Sequence, residues 1–295
     1  MSTCRTLCIG LTLFVFDLHG QPPRCIEVRC DLSEASMLHA NGEHAAALDK
    51  WDKALPQCAF ALWYWIEATE GALTLGDTIR AARYLTNVYA QGGQPLVNYS
   101  DPIKALFTHG VSTPLLEPIR NAKMEWAAKA DSVWIVALQE MYALDQSHRA
   151  DDALTRLNDS LNLERLIQLT ETRGFPAPAR TGSSYGIVNL LLWHHRGEIG
   201  LNGRLIHYLD LVQKAMDACE IEPDFLTGLV DYEAWEHGEP MPFGTLIGYF
   251  RDQLDGIHLP TLEEIDANRA SVGSGPLEYL ARSQGIPLDS LPFGR

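Results

Sequence analysis

Gly42-Glu-His-Ala-Ala-Ala-Leu-Asp-Lys-Trp51 and Gly76-Asp-Thr-Ile-Arg-Ala-Ala-Arg-Tyr-Leu85 carry the same pattern, and together they decide the fold. The two glycines stand 34 positions apart, and Ala47, Trp51 and Leu55 fall in register with Ala81, Leu85 and Tyr89. A glycine between two apolar-periodic segments permits a tight turn, and the alanines that follow let two helices approach closely. The spacing therefore predicts helix pairs over 32–40 with 43–54, and over 59–75 with 78–91.

A repeat of this length, with glycine between paired helices, resembles the tetratricopeptide pattern. Only two units stand out, and stable helical arrays usually need three or more, so the following segment is expected to cap the stack. Gly92-Gly93, Pro95, Pro102, Gly110 and Pro114 mark that segment as irregular up to Pro118. Helical periodicity then resumes. Trp134, Leu138 and Met141 recur at 3.6-type spacing within a helical stretch over 124–157, one helix or two. Asn158-Asp159-Ser160 reads as an interruption, and 161–173 as a further helix stopped by Gly174 and Pro176. Ser183 or Ser184 can cap the apolar helix that ends in Trp193-His194-His195. More helices follow over 201–219, 224–235, 261–268 and 276–283, with Gly244 and Thr245 in a loop. No run alternates as a strand would. The expected class is all-α: tetratricopeptide-like helix pairs followed by an irregular helical bundle.

The first residues differ in kind. Arg5 precedes an uncharged, mostly apolar stretch from Thr6 to Phe16, and Asp17-Leu-His-Gly20 then turns polar and ends on a small residue. That order is the order of a secretory signal. The predicted division is a signal peptide over 1–20, a helical-repeat region over 21–120 and a helical domain over 121–295, with the mature chain exported to the periplasm or the exterior. The apolar stretch is short for a permanent membrane span, and no stable span is expected.

Bulk chemistry narrows the partners. The formal charge is −15, and no cluster of basic residues is interleaved with aromatics. Such a surface repels phosphate backbones, so nucleic acid is excluded. The acidic density from Asp217 to Glu239 reads as a solvated helical face. Past the signal, Cys25, Cys30, Cys58 and Cys219 remain. Cys25 and Cys30 form the obvious local disulfide, Cys58 is a competing partner, and Cys219 reads as a buried helical cysteine. Nothing at zinc-ligand spacing accompanies them, so no metal is expected.

The candidate chemistry lies in the second half. The stripe Trp134, Leu138, Met141 continues inward to Asp145 and His148, and Arg149 stands four beyond Asp145. A charged pair that extends an apolar stripe is either emerging into solvent or buried and hydrogen-bonded. His194 and His195 close an oily helix, where one of them oriented by Asp145 could act as a general base. Adjacent helical positions diverge by about 100°, which disfavours joint metal chelation. The expected catalytic group is thus His194, His195, Asp145 and Arg149. Gln146, Asn189, Trp193, Asp231 and Thr245 are the expected ligand-binding residues. Gly182-Ser-Ser-Tyr-Gly186 falls short of a nucleophile elbow, and no phosphate-cradling glycine loop is present, so no cofactor is expected.

Asp145-Gln146-x-x-Arg149, Gly174-Phe175-Pro176, the helix closing on Trp193-His194-His195, Phe243-Gly244-Thr245 and Asn268-Arg269 through Gly273 occur in that order. The region from Ser132 to Leu280 thereby resembles a bacterial domain family of unknown function, whose members often carry a signal peptide and helical repeats ahead of the shared domain. That family favours Gln-His where this chain has Trp193-His194 or His194-His195. It favours Tyr-Gly-Thr-Gln where this chain has Phe243-Gly-Thr-Leu246. The resemblance implies a shared site without naming a reaction. Two functions follow as expectations. One is a binding protein for a small polar ligand, or for a protein or peptide partner held by the repeats. The other is a hydrolase-like acid/base enzyme whose polar groups converge on one cavity.

Overall fold

In the computed structural model, residues 23–58, 62–93, 101–108, 113–147, 149–198 and 202–294 are described. Residues 1–20, expected to be a signal peptide, and His148 lie outside them. The described chain is all-α, with no strand beyond one isolated parallel bridge between Leu259 and Phe293. No helix among the described residues is long and apolar enough to cross a membrane.

Two helical hairpins open the fold: α1 (Pro23–Ala40) packs on α2 (His44–Ala54), and α3 (Leu62–Thr74) on α4 (Thr78–Ala90). Gly42 and Gly76 sit in the turns with φ of 84° and 73°, in the left-handed region that glycine enters without strain. Each turn closes the preceding helix the same way, with Glu43 N–H donating to Leu38 O and Asp77 N–H to Ala72 O. The residues in register, Ala47, Trp51, Leu55, Ala81, Leu85 and Tyr89, are all buried in one apolar core.

The segment expected to be irregular contains α5 (Asp101–Thr108) and α6 (Thr113–Lys129), and α6 packs on α4. Pro114 falls in the first turn of α6, where its missing N–H costs nothing, and Pro118 is carried inside the helix. A single helix thus runs through position 120, where the two regions were divided.

The second core is built by α7 (Ser132–Gln146) and α8 (Asp152–Arg173) with the later helices over Tyr185–Trp193 and Gly203–Asp217. Asn158-Asp159-Ser160 does not interrupt: α8 continues through it. The reason is tertiary. Asn158 and Asn162 donate to Leu144 O and Met141 O on α7, so their side-chain amides join two helices rather than breaking one. After Gly174, φ 80°, come α9 (Pro178–Thr181) and α10 (Tyr185–Trp193). Ser184 lies at the start of α10 in helical conformation and makes no side-chain cap.

α11 (Gly203–Asp217) and α12 (Asp224–Glu236) lead to a third core with α13 (Leu262–Ser271) and α14 (Leu277–Ser283). Thr261 and Glu264 close a capping box at the start of α13. This C-terminal part folds back onto the first hairpins: Tyr279 O–H donates to Glu67 at 2.9 Å, and Arg282 bonds Asn41.

The cysteine expectation is corrected. Cys25 is bonded to Cys219, with Cα atoms 5.8 Å apart, while Cys30 is free and exposed and Cys58 free and buried. Cys25 and Cys30 both lie on α1. Five residues of helix separate them by roughly 7.5 Å along the axis and roughly 140° around it, so they cannot meet. Cys219 is not helical: it sits in the turn after α11 with φ 56°.

Candidate functional site

Asp145 is the inward end of the α7 stripe, and its side chain is fully buried. Gln146 Nε2 donates to one oxygen at 2.7 Å and Arg149 to the other. His194 reaches in from the end of α10, its Nε2 3.2 Å from Asp145 Oδ1 but off hydrogen-bond alignment. Burial holds the His194 imidazole below its ordinary value, although Asp145 pulls the other way. Arg149 also lies 3.5 Å from Asp159 of α8. His195 turns aside: its Nδ1 is 3.0 Å from Glu198 and its Nε2 3.2 Å from Asp159 O. Four of the sequence-named residues, Asp145, Gln146, Arg149 and His194, therefore meet, with His195 one residue away. Both Asp145 oxygens are taken up near the end of α7, while His194 of α10 and Asp159 of α8 approach the cluster only at ion-pair distance. Trp193 stacks edge-on against Tyr232 and Tyr249, with the Arg196 guanidinium over its ring.

Asp231 and Thr245 belong to a different knot. Asp231, on α12, is fully buried and accepts the N–H groups of Phe243 at 2.8 Å and Thr245 at 2.5 Å. Gly244 between them has φ 60°, and a side chain there would strike Leu277. Thr245 O–H donates to Thr227, and Arg269 bonds Phe243 O and Gly275 O. Burial pushes the Asp231 carboxyl up to about 7, against the two amides that pull it down. The Phe243-Gly244-Thr245 turn is thus pinned from below by a carboxylate and from the side by a guanidinium.

A crevice of about 300 Å³ lies elsewhere, where the first hairpins meet the second half of the chain. Leu62, Trp63 and Ile66 of α3 form one wall, Pro178, Tyr185 and Asn189 the other, and Glu222 and Asp224 complete it. A smaller hollow of about 70 Å³ adjoins it, sharing Glu222 and Asp224 and lined also by Arg29, Tyr64 and Arg269. The segment 216–222 is held there by α1. Arg29 donates to Met216 O at 3.0 Å and Ile221 O at 2.7 Å, and the Cys25–Cys219 bond fixes the turn between. Pro223 then stands at the N-cap of α12, which begins at Asp224 two residues after Glu222.

Glu222 is enclosed by surrounding atoms yet keeps a partial opening to the crevice. No donor among the described residues is hydrogen-bonded to its carboxyl. Burial pushes that carboxyl well above the ordinary range and Asp224 adds to the shift, while Arg29 opposes it. Across the crevice, the Asn189 side-chain oxygen is buried without a hydrogen-bond partner. Trp63 is 60% exposed and its indole N–H donates to Glu67, which also accepts from Ser36 and Tyr279.

No known protein family, curated protein or solved structure matches this chain.

Of the residues named from sequence, Asn189 alone lines the crevice. Glu222, Asp224, Trp63 and Tyr185 were missed. The acidic density read as a solvated face hides three different fates: Asp231 is buried, Glu222 faces the crevice and Asp224 is exposed. The one available signal was Glu220-Ile-Glu222-Pro223-Asp224, where a proline between acidic residues just after a cysteine marks a turn rather than a helix face.

Proposed function

We propose that this chain is an exported helical binding protein that takes a small polar ligand in the crevice between α3 and α10. The single observation that carries the reading is the pairing of unmet polar groups with an apolar hollow. Glu222 has no hydrogen-bonded donor, Asn189 has a buried unpaired oxygen, and both line about 300 Å³ of otherwise apolar space. Small-ligand sites commonly combine apolar walls with a few polar groups of this kind. The two amino-terminal hairpins belong to the same proposal as tetratricopeptide-like units offering a face to a protein or peptide partner. So does membership of the bacterial family whose motif order the chain shares. Binding is preferred to acid/base catalysis because both Asp145 oxygens are already engaged by Gln146 and Arg149.

Trp63 provides the test. In protein labelled with 5-fluorotryptophan, with Trp63→Phe assigning the signal, fragments of mixed charge should shift the Trp63 resonance. A panel spanning cations, neutral donors and anions that leaves it unmoved would refute a ligand site here.

A further inference from the structure

We infer that the crevice ligand is an organic cation, an amine or guanidinium head on an apolar body. The inference rests on the reading of the crevice as a ligand site and adds its chemistry. No basic side chain lines the larger hollow, whereas two carboxyls do. The nearest guanidiniums, Arg29 and Arg269, line the smaller hollow but donate to backbone carbonyls: Arg29 to Met216 and Ile221, Arg269 to Phe243 and Gly275. They soften the negative field at Glu222 without bonding its carboxyl.

Three ligand charges can be compared on this geometry. An anion would enter a low-dielectric crevice facing Glu222 and Asp224 with no cation along its walls. An uncharged apolar molecule would fill the space and seal the Glu222 carboxyl away from water with nothing to bond. A cation can donate to the Glu222 and Asp224 carboxyls, and its apolar part lies against Leu62, Ile66 and the rings of Trp63 and Tyr185. Those rings attract positive charge through their faces as well as offering apolar area. The Asp224 carboxyl keeps capacity for a ligand, since one of its oxygens accepts only from Ser274, at 3.2 Å.

Proton release should accompany binding. The groups facing Glu222 from the packed elements are Arg29 of α1, Cys58 after α2, Tyr64 and Glu67 of α3, Tyr185 of α10, Asp224 of α12, Arg269 of α13 and Tyr279 of α14. Burial raises the Glu222 carboxyl, so the empty protein holds a fraction of it protonated near neutrality. A cation favours the ionised form and expels that proton.

The experiment is calorimetry on the full chain with 2-phenylethylamine and its uncharged and anionic counterparts, 2-phenylethanol and phenylacetate. N-acetyl-phenylalanyl-lysinamide is added as a peptide-borne amine. At least one amine should bind about tenfold or more tighter than the alcohol, and phenylacetate weakest of all. Whichever amine binds tighter identifies the source, a free small molecule or a basic side chain. At pH 7 the binding heat should depend on the ionisation heat of the buffer. Glu222→Gln should weaken amine binding about tenfold, leave the alcohol unchanged and abolish the buffer dependence. Alcohol or phenylacetate binding as tightly as both amines would overturn the cation inference while leaving the crevice a ligand site. A crevice that no fragment enters, judged by Trp63, would remove the underlying reading instead.

Discussion

Asp231→Ala separates a structural carboxylate from a ligand-binding one. In the folded chain, Asp231 takes the Phe243 and Thr245 N–H groups at 2.8 and 2.5 Å, and its own accessibility is 0%. Removing it leaves two donors unmet, each worth about 1–3 kcal/mol when buried. The Thr245 donor is partly buried, so its share sits at the low end of that range, and the sum comes to about 3–4 kcal/mol. That is a large part of the 5–15 kcal/mol that typically holds a domain folded. Asp231→Asn keeps one acceptor and turns an amide N–H toward the other donor, so it should lose roughly half as much. Urea unfolding followed by tryptophan fluorescence gives both values. Trp193 and Trp235 flank this region through Tyr232, so the signal reports on it. Both variants unfolding within about 0.5 kcal/mol of the parent chain would refute the knot as a stabilising device.

Two further outcomes are expected. The Asp231 carboxyl is raised on folding from an ordinary 3.8 to about 7, so the folded chain binds that proton more tightly than the unfolded chain. Its contribution to stability is therefore full below about pH 4, declines as pH rises towards 7 and is level above. At about 1.4 kcal/mol per unit, the span is on the order of 4 kcal/mol. The difference between the parent and Asp231→Asn stability profiles isolates it, and parallel profiles between pH 4 and 8 would contradict it. The second outcome concerns the disulfide, which joins residues 194 apart and so constrains the unfolded chain by about 5 kcal/mol on a loop-closure basis. Non-reducing peptide mapping should find Cys25 linked to Cys219, Cys30 alkylated in the native protein and Cys58 only after unfolding. A Cys25–Cys30 linkage would overturn the pairing.

Much of the helical framework was legible because helices are local objects. The Gly42 and Gly76 turns, the buried register of Ala47, Trp51 and Leu55 with Ala81, Leu85 and Tyr89, and the inward course of Trp134, Leu138, Met141 and Asp145 follow from hydrophobic periodicity and from the conformational freedom of glycine. The exceptions share a cause. Asn158-Asp159-Ser160 looks like a break in isolation, and it ceases to be one once α7 offers Asn158 a carbonyl. Cys25 looks like the partner of Cys30 until α1 proves to begin at Pro23, which places the two thiols on different faces.

The linear chain thus determined that this protein is helical, where its first hairpins turn, and that Asp145, Arg149 and His194 would have to be reconciled with a core. Only the tertiary structure decided which polar groups are spent on the fold and which face open space. Asp145 and Asp231 satisfy their oxygens internally, while Glu222 and Asn189 line a crevice built by segments more than a hundred residues apart. Side-chain type sets what a group can bond. Whether it has anything to bond depends on neighbours that only the folded chain brings near.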